Sequence, residues 1–219
     1  MKSVLVTGGT VRIGAEIAAH LSALGWRVLT SSHRKDAAAD IVADFTDPMG
    51  AVKCYSAALE ILGGVPPDAI VNNAALFTGD AVAIEAVNLE TPKKLTMLFA
   101  GREVPGRGAV VNILDSRVLY ERGESETVDP YEASKRGLLE FTRKAAAMFS
   151  ETIRVNAVAP GPVFAPTDVH EAAGETLLGR PAALDVAKAV AFLLEAESTT
   201  GCVVPVDGGQ SLLRGLSGI

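Results

Sequence analysis

Seven short apolar runs, each rich in Val and Ile, recur along the chain. They are "SVLVT" (3–7), "RVLTS" (27–31), "DIVAD" (40–44), "DAIVN" (68–72), "AVVNI" (109–113), "IRVNAVA" (153–159) and "CVVPV" (202–206). Runs this short and this branched suit strands buried on both faces, as in a parallel sheet. The stretches between them have helical spacing. Ile13, Ile17, Leu21 and Leu24 fall at i, i+4, i+8 and i+11, and Val186, Val190, Leu193 and Leu194 fall on one face after a capping residue at Asp185. Repeated strand–helix alternation predicts a doubly wound α/β domain with right-handed crossovers. Aromatic residues are only 5% of the chain, so Ala, Val and Leu must build its core.

Nothing in the sequence divides this domain, which is expected to span residues 1–219. "GGVPPD" (63–68) reads as a turn and "ERGESETVD" (121–129) as a polar loop. Residues 161–183 carry Gly and Pro with little periodicity, too long for an ordinary turn, and are read as a substrate loop. A net charge of −6 without a basic run argues against a nucleic-acid partner. An anionic ligand must then be held by local groups. No apolar run approaches the roughly 20 residues of a membrane span, and "MKSVLVTGG" enters a strand at once, so a cytoplasmic location is expected. Cys54 and Cys202 read as reduced thiols, and His20, His33 and His170 lack ligand spacing, so no metal is expected.

In such a sheet ligands bind beyond the C-terminal strand ends, at the switch point. Thr7 and Gly8, Asn72 and Asn73, Asp115, and Pro160 and Gly161 all follow strands and converge there. "TGGTVRIG" (7–14) joins the first strand to the first helix. Gly8 and Gly9 permit the turn, Gly14 permits close packing, and the helix start around Ile13 offers N–H groups to a pyrophosphate. Arg12, beside that cradle, reads as a ligand contact rather than a solvated side chain. About twenty residues on, where an acidic residue would bind a ribose 2′-hydroxyl, the sequence has Ser31, Ser32, His33 and Arg34. That tip suits a 2′-phosphate, with Arg34 as its anchor, and favours NADPH over NADH. Asp44 either caps the following helix or accepts from an adenine amino group. In "VNNAALF" (71–77), the amides of Asn72 and Asn73 can tie neighbouring strand ends, Asn73, Ala74 and Ala75 are expected to line the cofactor, and Phe77 either stacks on a flat ring or joins the core.

"DPYEASK" (129–135) carries the sharpest local signal. Asp129 caps, Pro130 fits the first helical position and Glu132 completes a capping-box pattern. Tyr131 and Lys135 then share one helix face, four residues apart. An ammonium beside a phenol favours the phenolate and lowers its pKa, tuning it for proton transfer during hydride transfer.

Together "TGGTVRIG", "NNAA" (72–75), Asn88 in "VNLETP", "YEASK", "RVNAVAPGPV" (154–163) and "VDGG" (206–209) resemble the short-chain dehydrogenase/reductase family, in order over essentially the whole chain. The resemblance implies a Rossmann fold with a seven-stranded parallel sheet and helices on both faces, a nicotinamide cofactor, and a homotetramer or homodimer. It implies Tyr131 as catalytic acid/base, Lys135 as the ribose ligand that lowers the tyrosine pKa, and Asn88 as the anchor of a relay water. Two positions depart from the family: Arg12 stands in place of a glycine and Asp115 in place of a serine. With His33 and Arg34, and with Phe77 placed to sandwich a flat ring, these are similar to the pteridine reductase branch. The stretch from Asp115 to Tyr131 is long, and a one-residue shift would place Ser116 in the serine position.

A carboxylate facing a developing alkoxide is repulsive unless protonated, whereas facing a ring nitrogen or amino group it can accept a hydrogen bond. Asp115 therefore points from C=O towards C=N reduction; its alternative is a turn-forming aspartate after a strand. The expected function is NADPH-dependent reduction of a pterin-like heterocycle, a small-molecule substrate. The alternatives are a ketoreductase using Ser116 on a small carbonyl compound such as a 3-oxoacyl thioester, and a non-catalytic NADP(H)-binding sensor.

Overall fold

The computed structural model describes residues 1–120, 128–164 and 176–215. Seven strands form one parallel sheet: β1 (Ser3–Val6), β2 (Arg27–Ser32), β3 (Ile41–Val42), β4 (Ala69–Asn72), β5 (Gly108–Ile113), β6 (Ile153–Pro160) and β7 (Val203–Val206), in the order β3-β2-β1-β4-β5-β6-β7. Each coincides with one of the seven apolar runs. β1 pairs on one side with β2 (Val4 opposite Val28) and on the other with β4 (Val4 opposite Ala69). The chain first builds outward from β1 and then restarts beyond it, so the switch point lies between β1 and β4.

The helices are α1 (Arg12–Ala23), α2 (Gly50–Ile61), α3 (Ala81–Glu85), α4 (Thr91–Ala100), α5 (Pro130–Met148), α6 (Ala183–Glu195) and α7 (Gln210–Gly215). A π-helical turn, Ala86–Glu90, joins α3 to α4, and a 3-10 turn, Ser116–Leu119, follows β5. Two aliphatic layers show why the strands are apolar at successive positions. Leu5, Ile70 and Val110 face one side, with Cys54, Leu95, Phe99 and Ala145 of α2, α4 and α5. Their neighbours Val4, Val6, Val71 and Val111 face the other, with Ile17 and Leu21 of α1 and Val186 and Val190 of α6. Successive strand side chains alternate faces, so a sheet covered twice needs no polar alternation.

Local chemistry sets the helix starts that matter. Asp129 caps α5, accepting from Glu132 N at 2.8 Å, with Pro130 at the first helical position. The expected cap at Asp185 is displaced: Ala182 is the N-cap of α6, and Asp185 stands in its first turn beside Lys188. A carboxylate there still meets the positive end of the helix dipole. Nor does Asp44 cap α2. Its Oδ1 accepts from Thr46 N and Oγ1 at 2.9 and 2.7 Å, and the helix begins after Met49. Both cysteines are free, and burial raises the Cys54 thiol to about 11. Among the described residues no helix is long and apolar enough to cross a membrane. Most of the "ERGESETVD" loop (121–127) and the centre of the expected substrate loop (165–175) lie outside the described residues.

Candidate active site

A crevice of about 1250 Å³ runs along the C-terminal strand ends. Its floor at the switch point is made by side chains that tie β1 to β4. Thr7 Oγ1 accepts from Asn73 N and Ala74 N, both at 3.0 Å, and Asn73 Nδ2 donates to the Thr7 and Gly8 carbonyls at 2.9 and 3.1 Å. Thr7 is buried beneath the crevice, while Asn73, Ala74 and Ala75 line it. One strand further, Asn72 donates to Asn112 at 2.8 Å, and Asn112 to Thr142 of α5 at 2.9 Å. These amides fix the strand tips to one another.

At one end Gly8, Arg12, Ile13 and Gly14 form the wall. A Cβ on Gly14 would run into the Gly8 carbonyl and the Asn73 amide, so only glycine lets α1 approach β1 this closely. The N-cap Val11 offers no side-chain cap and the first turn holds no acidic residue. The leading N–H groups are left to an external anion. This backbone cradle fits the pyrophosphate of a dinucleotide. Arg12 adopts φ 52°, the left-handed conformation in which a glycine would be free of strain, and its guanidinium lies 4.9 Å from the Phe164 ring centre. Ser32, His33, Arg34 and Asp44 line the crevice beyond α1. Arg34 is not free: Nε and Nη2 pair with Asp36 at 3.0 and 2.7 Å. That exposed pair is weak enough to yield to a phosphate.

At the other end the crevice gathers Phe77, Asp115, Tyr131, Lys135, Pro160 and Gly161. Tyr131 Oη donates to Asp115 Oδ2 at 3.1 Å. The Phe77 ring, half exposed, stands 4.8 Å from the Tyr131 ring at 57°, so Phe77 belongs to the crevice and not the core. Lys135 is buried and donates to the Ile113 carbonyl at 2.8 Å. Burial lowers its ammonium to about 8, against the opposing pull of Asp115. The expected lowering of the Tyr131 pKa is reversed: burial, and then the Asp115 carboxylate, raise it well above its ordinary value. The phenol therefore stays protonated and able to donate.

Ser116 is buried, and its hydroxyl donates to Gln210 Oε1 of α7 at 2.8 Å. It is Asp115, one residue earlier, that meets the phenol. Asn88 does not line the crevice. Fully buried in the π-helical turn, it accepts from Leu76 N and donates to Leu76 O, both at 2.8 Å, and to Ser134 Oγ at 3.1 Å. It braces the Phe77 loop against α5 from behind. The crevice also holds polar residues that the sequence did not single out, among them Arg117, Arg180 and Gln210. Only a cation two residues after Asp115 offered a signal, for Arg117; Gln210 gave none.

A family model described as short chain dehydrogenase matches residues 2–177. The 3-oxoacyl-[acyl-carrier-protein] reductase MabA of Mycobacterium bovis is 30% identical, over 96% of this chain and 93% of its own. Among solved structures, FolM alternative dihydrofolate reductase 1 from Brucella canis, complexed with NADP, is 29% identical with a TM-score of 0.84, covering 96% of this chain and 94% of that one. The 3-alpha-hydroxysteroid dehydrogenase from Pseudomonas sp. B-0831, complexed with NADH, is 25% identical with a TM-score of 0.84, covering 99% of this chain and 100% of that one.

Proposed function

The chain belongs to the short-chain dehydrogenase family of oxidoreductases, and from that premise we propose that it is an NADPH-dependent reductase of a C=N bond in a pterin-like heterocycle. The carrying observation is the Asp115 carboxylate in hydrogen-bond contact with the Tyr131 phenol, beside the Phe77 ring. The likeness to a dihydrofolate reductase complexed with NADP supports it.

The dinucleotide, when bound, supplies the hydride. The N–H groups of α1 and Arg12 hold its pyrophosphate, and His33 and Arg34 its 2′-phosphate. Lys135 holds its ribose hydroxyls. Phe77 stacks on the flat substrate ring and Asp115 accepts from a ring N–H or amino group. Tyr131 gives its proton to the imine nitrogen as the adjacent carbon takes the hydride, so C=N becomes CH–NH. Asn88 positions the loop and the helix that carry Phe77 and Tyr131. A homodimer or homotetramer belongs to the same proposal, and light scattering measures it.

The second reading, reduction of a carbonyl such as a 3-oxoacyl thioester, is favoured by the likeness to MabA. Against it, the Ser116 hydroxyl is engaged by Gln210 and Asp115 faces the phenol. Following NADPH absorbance with a panel of dihydropterins and ketones separates the two. Dihydropterin turnover supports the first reading and ketone-only turnover rejects it.

A further inference from the structure

The carboxylate that makes this site suited to a nitrogen heterocycle also opposes its proton donor. Asp115 Oδ2 stands 3.1 Å from the Tyr131 hydroxyl. A negative charge there makes the phenol reluctant to part with its proton. A serine would carry no such charge.

A cation is built in against it. The Arg117 guanidinium lies 5.1 Å from the Tyr131 ring centre and 5.2 Å from that of Phe77. Its Nε is 3.4 Å from Asp115 Oδ1, and its Nη1 is 3.3 Å from Asp129 Oδ2. Its backbone is fixed as well: Arg117 N donates to Asp115 Oδ1 at 2.9 Å, and Arg136 Nη2 donates to the Arg117 and Tyr120 carbonyls, both at 3.1 Å. Arg136 is in turn held by the fully buried Glu132, with Nε to Oε1 at 2.9 Å. The 3-10 turn is thus clamped onto α5, the helix that carries the phenol.

We propose that Arg117 is a positioning residue that offsets the Asp115 charge at the Tyr131 hydroxyl and holds the Phe77 and Tyr131 rings together. The proposal rests on the reading of Tyr131 as proton donor. Among the described residues, the groups facing Tyr131 are Asp115 after β5, Arg117 in the 3-10 turn, the N-cap Asp129, Lys135 on α5, and the neutral Phe77 after β4. Lys135 gives one of its three donors to the Ile113 carbonyl, and its ammonium stands 5.7 Å from the phenol ring centre. Without Arg117, the Asp115 and Asp129 carboxylates face the phenol against Lys135 alone among the described residues. Arg117 and the Asp115–Tyr131 contact are therefore coupled, and a serine at 115 removes the need for Arg117.

A double-mutant cycle tests this coupling with the NADPH-loaded enzyme: wild type, Arg117→Met, Asp115→Ser and the double variant, with Arg117→Gln and Arg117→Lys alongside. We expect Arg117→Met to lower kcat about tenfold and to move the alkaline limb of the kcat–pH profile upward. Arg117→Lys should restore part of the rate. In the Asp115→Ser background the same change should cost under about threefold. Equal losses in both backgrounds overturn the proposal, as does a rise in KM at unchanged kcat and pH profile, which would make Arg117 a substrate contact. Should no substrate turn over, the proposed reaction fails and a substrate-free measurement decides on Arg117. Carbon-13 labelling at the tyrosine ζ position, with NADP⁺ bound and Tyr131 assigned through Tyr131→Phe, should give a titration at higher pH in Arg117→Met and Arg117→Gln. Superimposable titrations overturn it.

Discussion

The Tyr131 hydroxyl donates to Asp115 Oδ2 across 3.1 Å, joining the first turn of α5 to the tip of β5. The adjacent serine is turned to Gln210 and takes no part in that contact. The chain thus carries its oxidoreductase family's fold with a carboxylate acceptor, rather than the neighbouring hydroxyl, at the phenol. Fold gives the place for chemistry, and the side chains at the strand ends give its kind.

The two neighbours should separate cleanly on mutation. Ser116→Ala loses one buried hydrogen bond and is expected to cost about 1 kcal/mol of stability with turnover within about twofold of wild type. Asp115→Ser is expected to cut dihydropterin turnover about a hundredfold and to raise activity on ketones. Melting curves and substrate-panel kinetics on both variants check this.

Lys135 gives a stability prediction with a definite sign. Burial places its folded-state pKa at about 8, below the roughly 10.4 of an unfolded lysine. Between those values the unfolded chain binds more protons, so stability rises with pH there. Below pH 8 the cost of burying the ammonium is fully present, about 3 kcal/mol at most. Lys135→Met is therefore expected to melt higher than wild type at pH 7, less the cost of an unpaired Ile113 carbonyl. That advantage should shrink as pH rises from 8 to 10.5, and activity should be lost. Denaturant titrations across this pH range measure it.

Arg12 carries strain at φ 52°. Arg12→Gly is expected to melt above Arg12→Ala, since a non-glycine residue in the left-handed region costs about 1 kcal/mol. Both variants should bind NADPH about tenfold more weakly. Thermal melts and fluorescence titration with NADPH test the two effects separately.

At the tip of β2 Arg34 pairs with Asp36, and the proposed function makes its guanidinium the anchor of a cofactor 2′-phosphate. Arg34→Ala should weaken NADPH binding about tenfold and leave NADH nearly unchanged, whereas Asp36→Ala should tighten NADPH. Equilibrium binding of both cofactors reads the discrimination directly.

The sheet was legible because its inner strands β1, β4, β5 and β6 are buried throughout, and because all seven strands are short and rich in aliphatic residues. The crevice was legible because Gly8, Asn73, Asp115 and Pro160 all follow such runs, and topology brings strand ends together. Charge and hydrogen bonding across elements were not. Asp36 captures Arg34, and burial and then Asp115 raise the phenol, with Arg117 as the cation that opposes them. Asn88 turns inward to Leu76, and Gln210 arrives from the last helix to take the Ser116 hydroxyl. Each depends on a distance that no spacing rule encodes. The misplaced cap at Asp185 is a local failure of the same sort, since Ala182 begins α6 without any side-chain bond.

The central claim is that the Tyr131 phenol is the proton donor in hydride transfer to a C=N bond. Single-turnover oxidation of bound NADPH by a dihydropterin, compared between wild type and Tyr131→Phe, tests it most directly. The account predicts a loss of about 10²- to 10⁴-fold in the phenylalanine variant with NADPH affinity retained. A variant that transfers hydride at the wild-type rate would contradict it.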